Sequence, residues 1–131
     1  YAICLKENNL PIDYVNIDLD DSHDLGYGLK KEYWHQGIVS EAVEAVIQQA
    51  KKDNLCYLTA THDIKNIHSG NVMKKVGMHY CYSYKEQWMP KNRPVIFRMY
   101  QINLDGKNGF IKNIGINMNI LLKKTYKGQV I

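Results

Sequence analysis

The stretch Leu29-Lys30-Lys31-Glu32-Tyr33-Trp34-His35-Gln36-Gly37-Ile38-Val39-Ser40-Glu41-Ala42 leaves a short strand, crosses a polar and aromatic loop, and enters the strongest helical pattern in the chain. From Ser40 to Lys52, the residues Ala42, Val43, Val46, Ile47 and Ala50 recur at helical spacing, with Glu41 and Glu44 in the first turn and Lys51 and Lys52 in the last. The spacing predicts an amphipathic helix over 40–52. A helix start presents unpaired N–H groups and a partial positive charge, which suit a phosphate or pyrophosphate. Gly37 is the residue that lets such a group come close to the backbone. A single glycine is equally compatible with an ordinary strand-to-helix connection.

Upstream of this stretch, Tyr1 to Leu5 and Ile12 to Leu19 are rich in β-branched and aromatic residues and flank the turn-forming cluster Lys6-Glu7-Asn8-Asn9, a hairpin pattern. An acidic loop over Asp18 to Asp24 leads into Leu25-Gly26-Tyr27-Gly28-Leu29, a short strand whose glycines mark a bulge or a close backbone approach. Downstream, Leu55 to Thr61 reads as a strand, Asn66 to Val76 as a second helix with Gly77 at its C-terminal cap, Met78 to Tyr84 as a strand, and Val95 to Leu104 as a last long strand after Pro94. The order β-β-β-α-β-α-β-β mixes hairpins with crossovers. It predicts an α+β fold, a mixed sheet with helices on both faces.

The chain has 131 residues, 45% of them hydrophobic and 23% charged, which is one domain's worth of material. A domain of this size buries a little under about 70% of its unfolded surface, so a core forms without staples. The odd set Cys4, Cys56 and Cys81 contains no CxxC pair and sits among apolar or aromatic residues, the pattern of buried thiols in a reducing compartment. The apolar runs are far shorter than a membrane helix needs, and no basic start leads into an apolar signal core. A cytoplasmic protein with no membrane partner is expected. The net charge of +4 is not spread evenly: residues 1–104 hold 12 basic and 12 acidic residues, whereas 105–131 hold five Lys against Asp105. The Ile and Leu residues at 111, 114, 116, 120, 121 and 122 make 105–131 a packing segment more than a solvated arm, which argues against nucleic acid. His62 and His68, six apart around Asp63, lack a third ligand at useful spacing, so no metal is expected.

A second constellation, Asn66-Ile67-His68-Ser69-Gly70-Asn71-Val72-Met73-Lys74-Lys75-Val76-Gly77-Met78, opens on a strong N-cap residue, and a purely structural role for Asn66 and Ser69 is open. Together the two stretches resemble the GNAT acyl-CoA N-acyltransferase superfamily and, within it, the RimJ/RimL-like branch. Tyr33-Trp34, Gly37 and Ser40-Glu41-Ala42 match the family's first motif, while His35 and Val39 replace its small residues. Asn66, Ser69, Val72, Lys75, Gly77 and Met78 fill every fixed position of its second motif, N-x-x-S-x-x-V-x-x-K-x-G-F/M. Gly26-Tyr27-Gly28-Leu29 resembles the G-Y-x-L strand before the first motif. The likeness covers residues 1–104, leaves 105–131 as a basic tail, and implies a GNAT-like fold whose front part, a strand and one or two helices, is missing. The sheet edge left behind favours a homodimer or another edge-paired oligomer.

What the resemblance implies is an acetyl-CoA-dependent N-acetyltransferase. Two adjacent parallel strands, 25–29 and 55–61, would splay apart to hold the pantetheine arm. Leu29, Lys30, Lys31, Trp34, His35, Gln36, Gly37, Ile38, Val39 and Ser40, together with Asn66 and Ser69, would bind the cofactor, the pyrophosphate lying on N–H groups of 34–39. A neutral amine would attack the thioester directly, with an N–H of the first strand stabilising the oxyanion. With Met73 where many members carry a tyrosine, Ser69 is the expected donor to the departing thiolate and Asn66 orients the pantetheine or thioester. Asp24 is the candidate acidic residue before the first splayed strand; for it, as for His23 and Asp21, a solvated loop is the alternative. The amine is not identified. A non-catalytic CoA-binding remnant and a basic-tail binding module are the competing functional readings.

Overall fold

The computed structural model describes residues 1–107 and the two-residue strand Gln129–Val130. The expectation of a basic packing segment beyond Lys107 otherwise lies outside the described residues. In chain order the elements are β1 (Ala2–Cys4), β2 (Pro11–Ile17), β3 (Leu25–Tyr27), a 3-10 turn (Lys31–Tyr33), α1 (Ile38–Lys52), β4 (Tyr57–Asp63), α2 (Ile67–Lys75), β5 (His79–Trp88), β6 (Arg93–Asn103) and β7 (Gln129–Val130). No helix among the described residues is long and apolar enough to cross a membrane.

The β1–β2 hairpin and β3 form one antiparallel sheet in the order β1-β2-β3, and the remaining strands form a second in the order β4-β6-β5-β7. The first sheet pairs strands adjacent in sequence, whereas in the second β6 lies between β4 and β5, and the α1 crossover brings β4 alongside β3 in parallel. A single parallel bridge, Asp24 to Thr59, joins the two sheets, with Thr59 N–H donating to His23 O at 3.2 Å. Beyond it β3 and β4 share no further ladder among the described residues, and the unpaired stretch between them is the candidate cleft.

α1 buries Val43, Val46, Ile47 and Ala50, the face its spacing predicts, against Ile12, Val15, Leu25 and Leu58. Val43 and Leu58 are fully buried, and such side chains each stabilise a fold by about 1.5–3 kcal/mol. α2 is closed at both ends. Asn66 Oδ1 accepts from Ser69 N–H at 3.2 Å. At the other end Gly77, at φ +91°, lets Gly77 N–H reach Lys74 O and Met78 N–H reach Met73 O at 3.1 and 3.0 Å, the paired bonds of a left-handed helix stop.

The α+β class with mixed strand directions is as expected. The two described helices, α1 and α2, bury their apolar residues in one cluster with Val15, Leu25, Leu58, Ala60 and Tyr100 on one face. Strand alternation puts Asp24, Thr59, Thr61, Tyr84 and Met99 on the other, where Tyr84 and Met99 form their own small cluster with Cys81, Tyr82 and Phe97. One expectation is corrected: the thiols, read as buried, are not, since Cys4 and Cys56 are exposed and Cys81 is half-buried. Ile3 takes the inward position of β1, so alternation turns Cys4 outward, and Cys56 precedes the first residue of β4.

Candidate active site

Alternation in β3 decides what the cleft is made of. Asp18 N–H donates to Asp24 O at 2.9 Å and Gly28 N–H to Tyr14 O at 3.1 Å, with Gly26 paired to Asn16 between them. Residues 24, 26 and 28 therefore spend their peptide groups on β2, and those of Leu25, Tyr27 and Leu29 turn toward β4. The Leu29 carbonyl accepts the Trp34 indole N–H at 2.7 Å. That bond ties the loop to the end of the strand.

The loop then folds into a short turn, Tyr33 N–H to Lys30 O at 2.9 Å and Trp34 N–H to Lys31 O at 3.2 Å. His35 and Gly37 follow with φ of +60° and +73°. Nothing lies within 4 Å of the position a Gly37 side chain would take, so the glycine is there for its left-handed backbone, not for close packing. It is the N-cap of α1 and contributes no side-chain bond; the first helical bond runs from Glu41 N–H to Gly37 O at 3.0 Å. The N–H groups of Ile38, Val39 and Ser40 thus precede the helical ladder and can serve an anion. Val39 and Ile38 pack against the core, and Lys30, Lys31, Trp34, His35 and Gln36 are exposed around the loop.

The far wall is α2. The His35 and His68 rings meet edge to face at 4.9 Å, so the phosphate-type loop and the start of α2 share one rim. Asn66 and Ser69 lie together there through the cap bond. Ser69 also reaches across to β3: Tyr27 Oη donates to the Ser69 carbonyl at 2.8 Å and lies 2.9 Å from Ser69 Oγ. Burial pushes the Tyr27 phenol above its ordinary value, opposed by the bond with Ser69. Met73 is 2% exposed and belongs to the core.

Asp24 stands apart from these groups. It occupies the bridge at the head of the cleft, three residues before Tyr27 and so on the opposite face of the strand. Burial first, then the charges of Asp18 and Asp20, raise its carboxyl to about 6. Of the expected cofactor residues, His35 in the loop meets His68 beside the pair Asn66 and Ser69, whereas Asp24 lies on the other face of the strand from the Tyr27 contact with Ser69. His62 and His68 are separated as well. His62 is buried beneath α2, where a side chain on Gly70 would come within 2.7 Å of its Nε2, and His68 is exposed. Among the described residues no group of three or more His, Cys, Asp or Glu is placed to hold a metal ion.

Sequence reasoning missed the Tyr27 to Ser69 pair and the His35 to His68 contact. The only sequence signal for the first was parity: Tyr27 shares the inward face of β3 with Leu25.

The family model described as acetyltransferase (GNAT) domain matches residues 1–79. Among solved structures, the chain is similar to a GNAT-family acetyltransferase from Bacillus anthracis, at 24% identity and a TM-score of 0.70 over 79% of this chain and 65% of that one. It is also similar to the ribosomal-protein-S5-alanine acetyltransferase from Vibrio fischeri, at 24% identity and a TM-score of 0.67 over 79% and 60% of the two chains. A third likeness is to RimL, the ribosomal L7/L12 alpha-N-protein acetyltransferase in complex with coenzyme A, at 15% identity and a TM-score of 0.69 over 76% and 59%. The chain thus spans less than two thirds of the length of these structures, which share its fold. No curated protein matches the sequence.

Proposed function

The chain belongs to the GNAT acetyltransferase family, and from that premise we infer that it is an N-acetyltransferase of the RimJ/RimL-like branch, moving acetyl from acetyl-CoA to a primary amine. The observation that carries the reading is the cleft. Two parallel-facing strands part after one bridge, peptide groups of β3 turn into the gap, and a helix start and a serine stand on its rim. The pyrophosphate would lie on the N–H groups of Ile38, Val39 and Ser40, and the pantetheine arm along Leu25, Tyr27 and Leu29. Asn66 would orient that arm with its side-chain amide.

The chemistry then needs three things. A neutral amine must attack the thioester carbon, an N–H must meet the developing oxyanion, and the thiolate must leave protonated. The Tyr27 N–H turns toward the gap and suits the second task; the Ser69 hydroxyl suits the third. Asp24 suits the first: with its carboxyl raised to about 6, it is ionised at neutral pH and still a better proton acceptor than an ordinary carboxylate. Protein N-termini lead the candidate acceptors, since two of the structural neighbours are ribosomal-protein acetyltransferases. The exposed free thiols of Cys4 and Cys56 suit the cytoplasm.

Calorimetry with acetyl-CoA, followed by thiol-release assays across N-terminal peptides, polyamines and other small amines, tests the reading. Saturable binding and thiol release that requires one class of amine support it. No binding at millimolar acetyl-CoA removes it, and binding with no turnover on any amine leaves a CoA-binding remnant in its place.

A further inference from the structure

The proposed reaction ends with a proton moving from Ser69 to a thiolate, and a serine is poorly suited to give one up alone. An alkanol hydroxyl is a far weaker acid than a phenol, which ionises at about 10, or than an alkyl thiol. A lone Ser69 would be left as an alkoxide beside an apolar core. The molecule holds a second hydroxyl against it. Tyr27, 42 residues away in sequence, places its Oη 2.8 Å from Ser69 O and 2.9 Å from Ser69 Oγ. A phenol has one proton. When that proton is donated to the Ser69 carbonyl, the Ser69 hydroxyl must be the donor in the other bond, and a small rotation of the Tyr27 O–H bond reverses the relation. Met73, one turn further along α2, is turned into the core, so the described residues of that wall offer no alternative hydroxyl beside Ser69.

We propose that Tyr27 is the positioning residue of this step: it holds the Ser69 hydroxyl in one orientation and returns its proton. As the Ser69 Oγ–H bond breaks and the S–H bond of the free thiol forms, the Tyr27 Oη proton passes to Ser69 Oγ. A phenolate remains on Tyr27 and takes a proton from solvent, while the attacking amine loses one proton to its base and thence to solvent. One proton leaves and one arrives, and the products are the amide and the thiol. Burial of Tyr27 keeps its phenol protonated at neutral pH.

The inference rests on the acetyltransferase reading, and the experiment separates the two. Tyr27→Phe keeps the ring and its packing. In steady-state assays with acetyl-CoA and whichever amine the wild type accepts, Tyr27→Phe should lower kcat at least about tenfold with KM for acetyl-CoA unchanged. Tyr27→Phe combined with Ser69→Ala should fall no further than Ser69→Ala alone, since one unit has been broken. A merely structural Tyr27 would instead lower the melting temperature, raise KM and multiply with Ser69→Ala. A second measurement keeps the phenol: a fluorinated tyrosine incorporated at position 27 should move the alkaline limb of kcat to lower pH. Full kcat in Tyr27→Phe, multiplying effects or an unmoved limb overturns the relay and leaves the acetyltransferase reading intact. Failure of the wild type to acetylate any amine overturns both.

Discussion

Replacing Asp24 by Asn should stabilise the protein at neutral pH while weakening catalysis. The carboxyl is half-buried at the head of the cleft, and burial with the charges of Asp18 and Asp20 raises it from 3.8 to about 6. The folded chain therefore holds this proton more tightly than the unfolded chain. As pH rises, the unfolded state releases the proton first, near 4, and the folded state follows only near 6, so stability falls across that window and stays low above it. A shift of roughly two units, at 1.36 kcal/mol each, is about 3 kcal/mol. Asn carries no charge, so its advantage over Asp should be near zero below pH 4 and approach about 3 kcal/mol above pH 7. For a chain of this size that is a rise in melting temperature of roughly 10 °C. Urea unfolding of both proteins from pH 3.5 to pH 8, read as the difference between them, isolates Asp24 from other carboxylates. In the same preparation kcat/KM should drop at least about a hundredfold if Asp24 is the base. A stability difference that does not change with pH would refute the burial argument, and full activity in the stabilised variant would refute the assignment of the base.

Other perturbations follow from single contacts. Gly70→Ala would drive a methyl group to within 2.7 Å of His62 Nε2 and 2.8 Å of its Cε1. It should cost about 1–3 kcal/mol in chemical denaturation, and an unchanged midpoint would show that His62 is free to move. Asn66→Ala removes the cap on Ser69 N–H and should cost about 1 kcal/mol, whereas Asn66→Asp should retain the stability. If Asp at 66 also retains full affinity for acetyl-CoA by calorimetry, Asn66 does not orient the pantetheine with its amide. Among the described residues β1 pairs on one side only, beside exposed Tyr1, Leu10 and Tyr14, so sedimentation should show a species of twice the 15.2 kDa chain mass. A monomer at all concentrations tested would remove edge pairing.

The parts of the fold that could be read from sequence were those whose signal is local. α1 announces itself by period, and α2 by a cap residue and a glycine stop at the right separation; both appear within two residues of where they were expected. β5 does not end at Tyr84 as its apolar content suggested. It continues through Lys85, Glu86 and Gln87 to Trp88 because β6 pairs with it out to Arg93, a partner supplied by the tertiary fold that composition does not encode. Leu19 looked like the end of a strand and is 98% exposed in the acidic turn, where Asp18 N–H has already closed onto Asp24 O. The candidate site divides the same way. Asn66 was legible as a helix cap because a cap bond spans three residues, while its candidacy and that of Ser69 as site residues came from the motif resemblance. The Tyr27 bond to Ser69 spans 42 and exists only because the α1 crossover sets α2 above β3.

That crossover also gives the proposed reaction its direction. Asp24, the bridge residue just before β3, and Tyr27, its last residue, are an odd number of residues apart along the extended chain, so alternation turns their side chains to opposite faces. Tyr27 faces α2 and Ser69, the side where a thiolate would leave. Asp24 faces away from both helices, toward Thr59 and within electrostatic reach of Tyr84. An acid and a base on the same face, a few ångströms apart, would exchange a proton with each other before serving a substrate. Placed on two faces of a strand whose peptide groups line the gap, they can act on one bound thioester from opposite sides, the amine giving up its proton on one face while the thiol gains its own on the other.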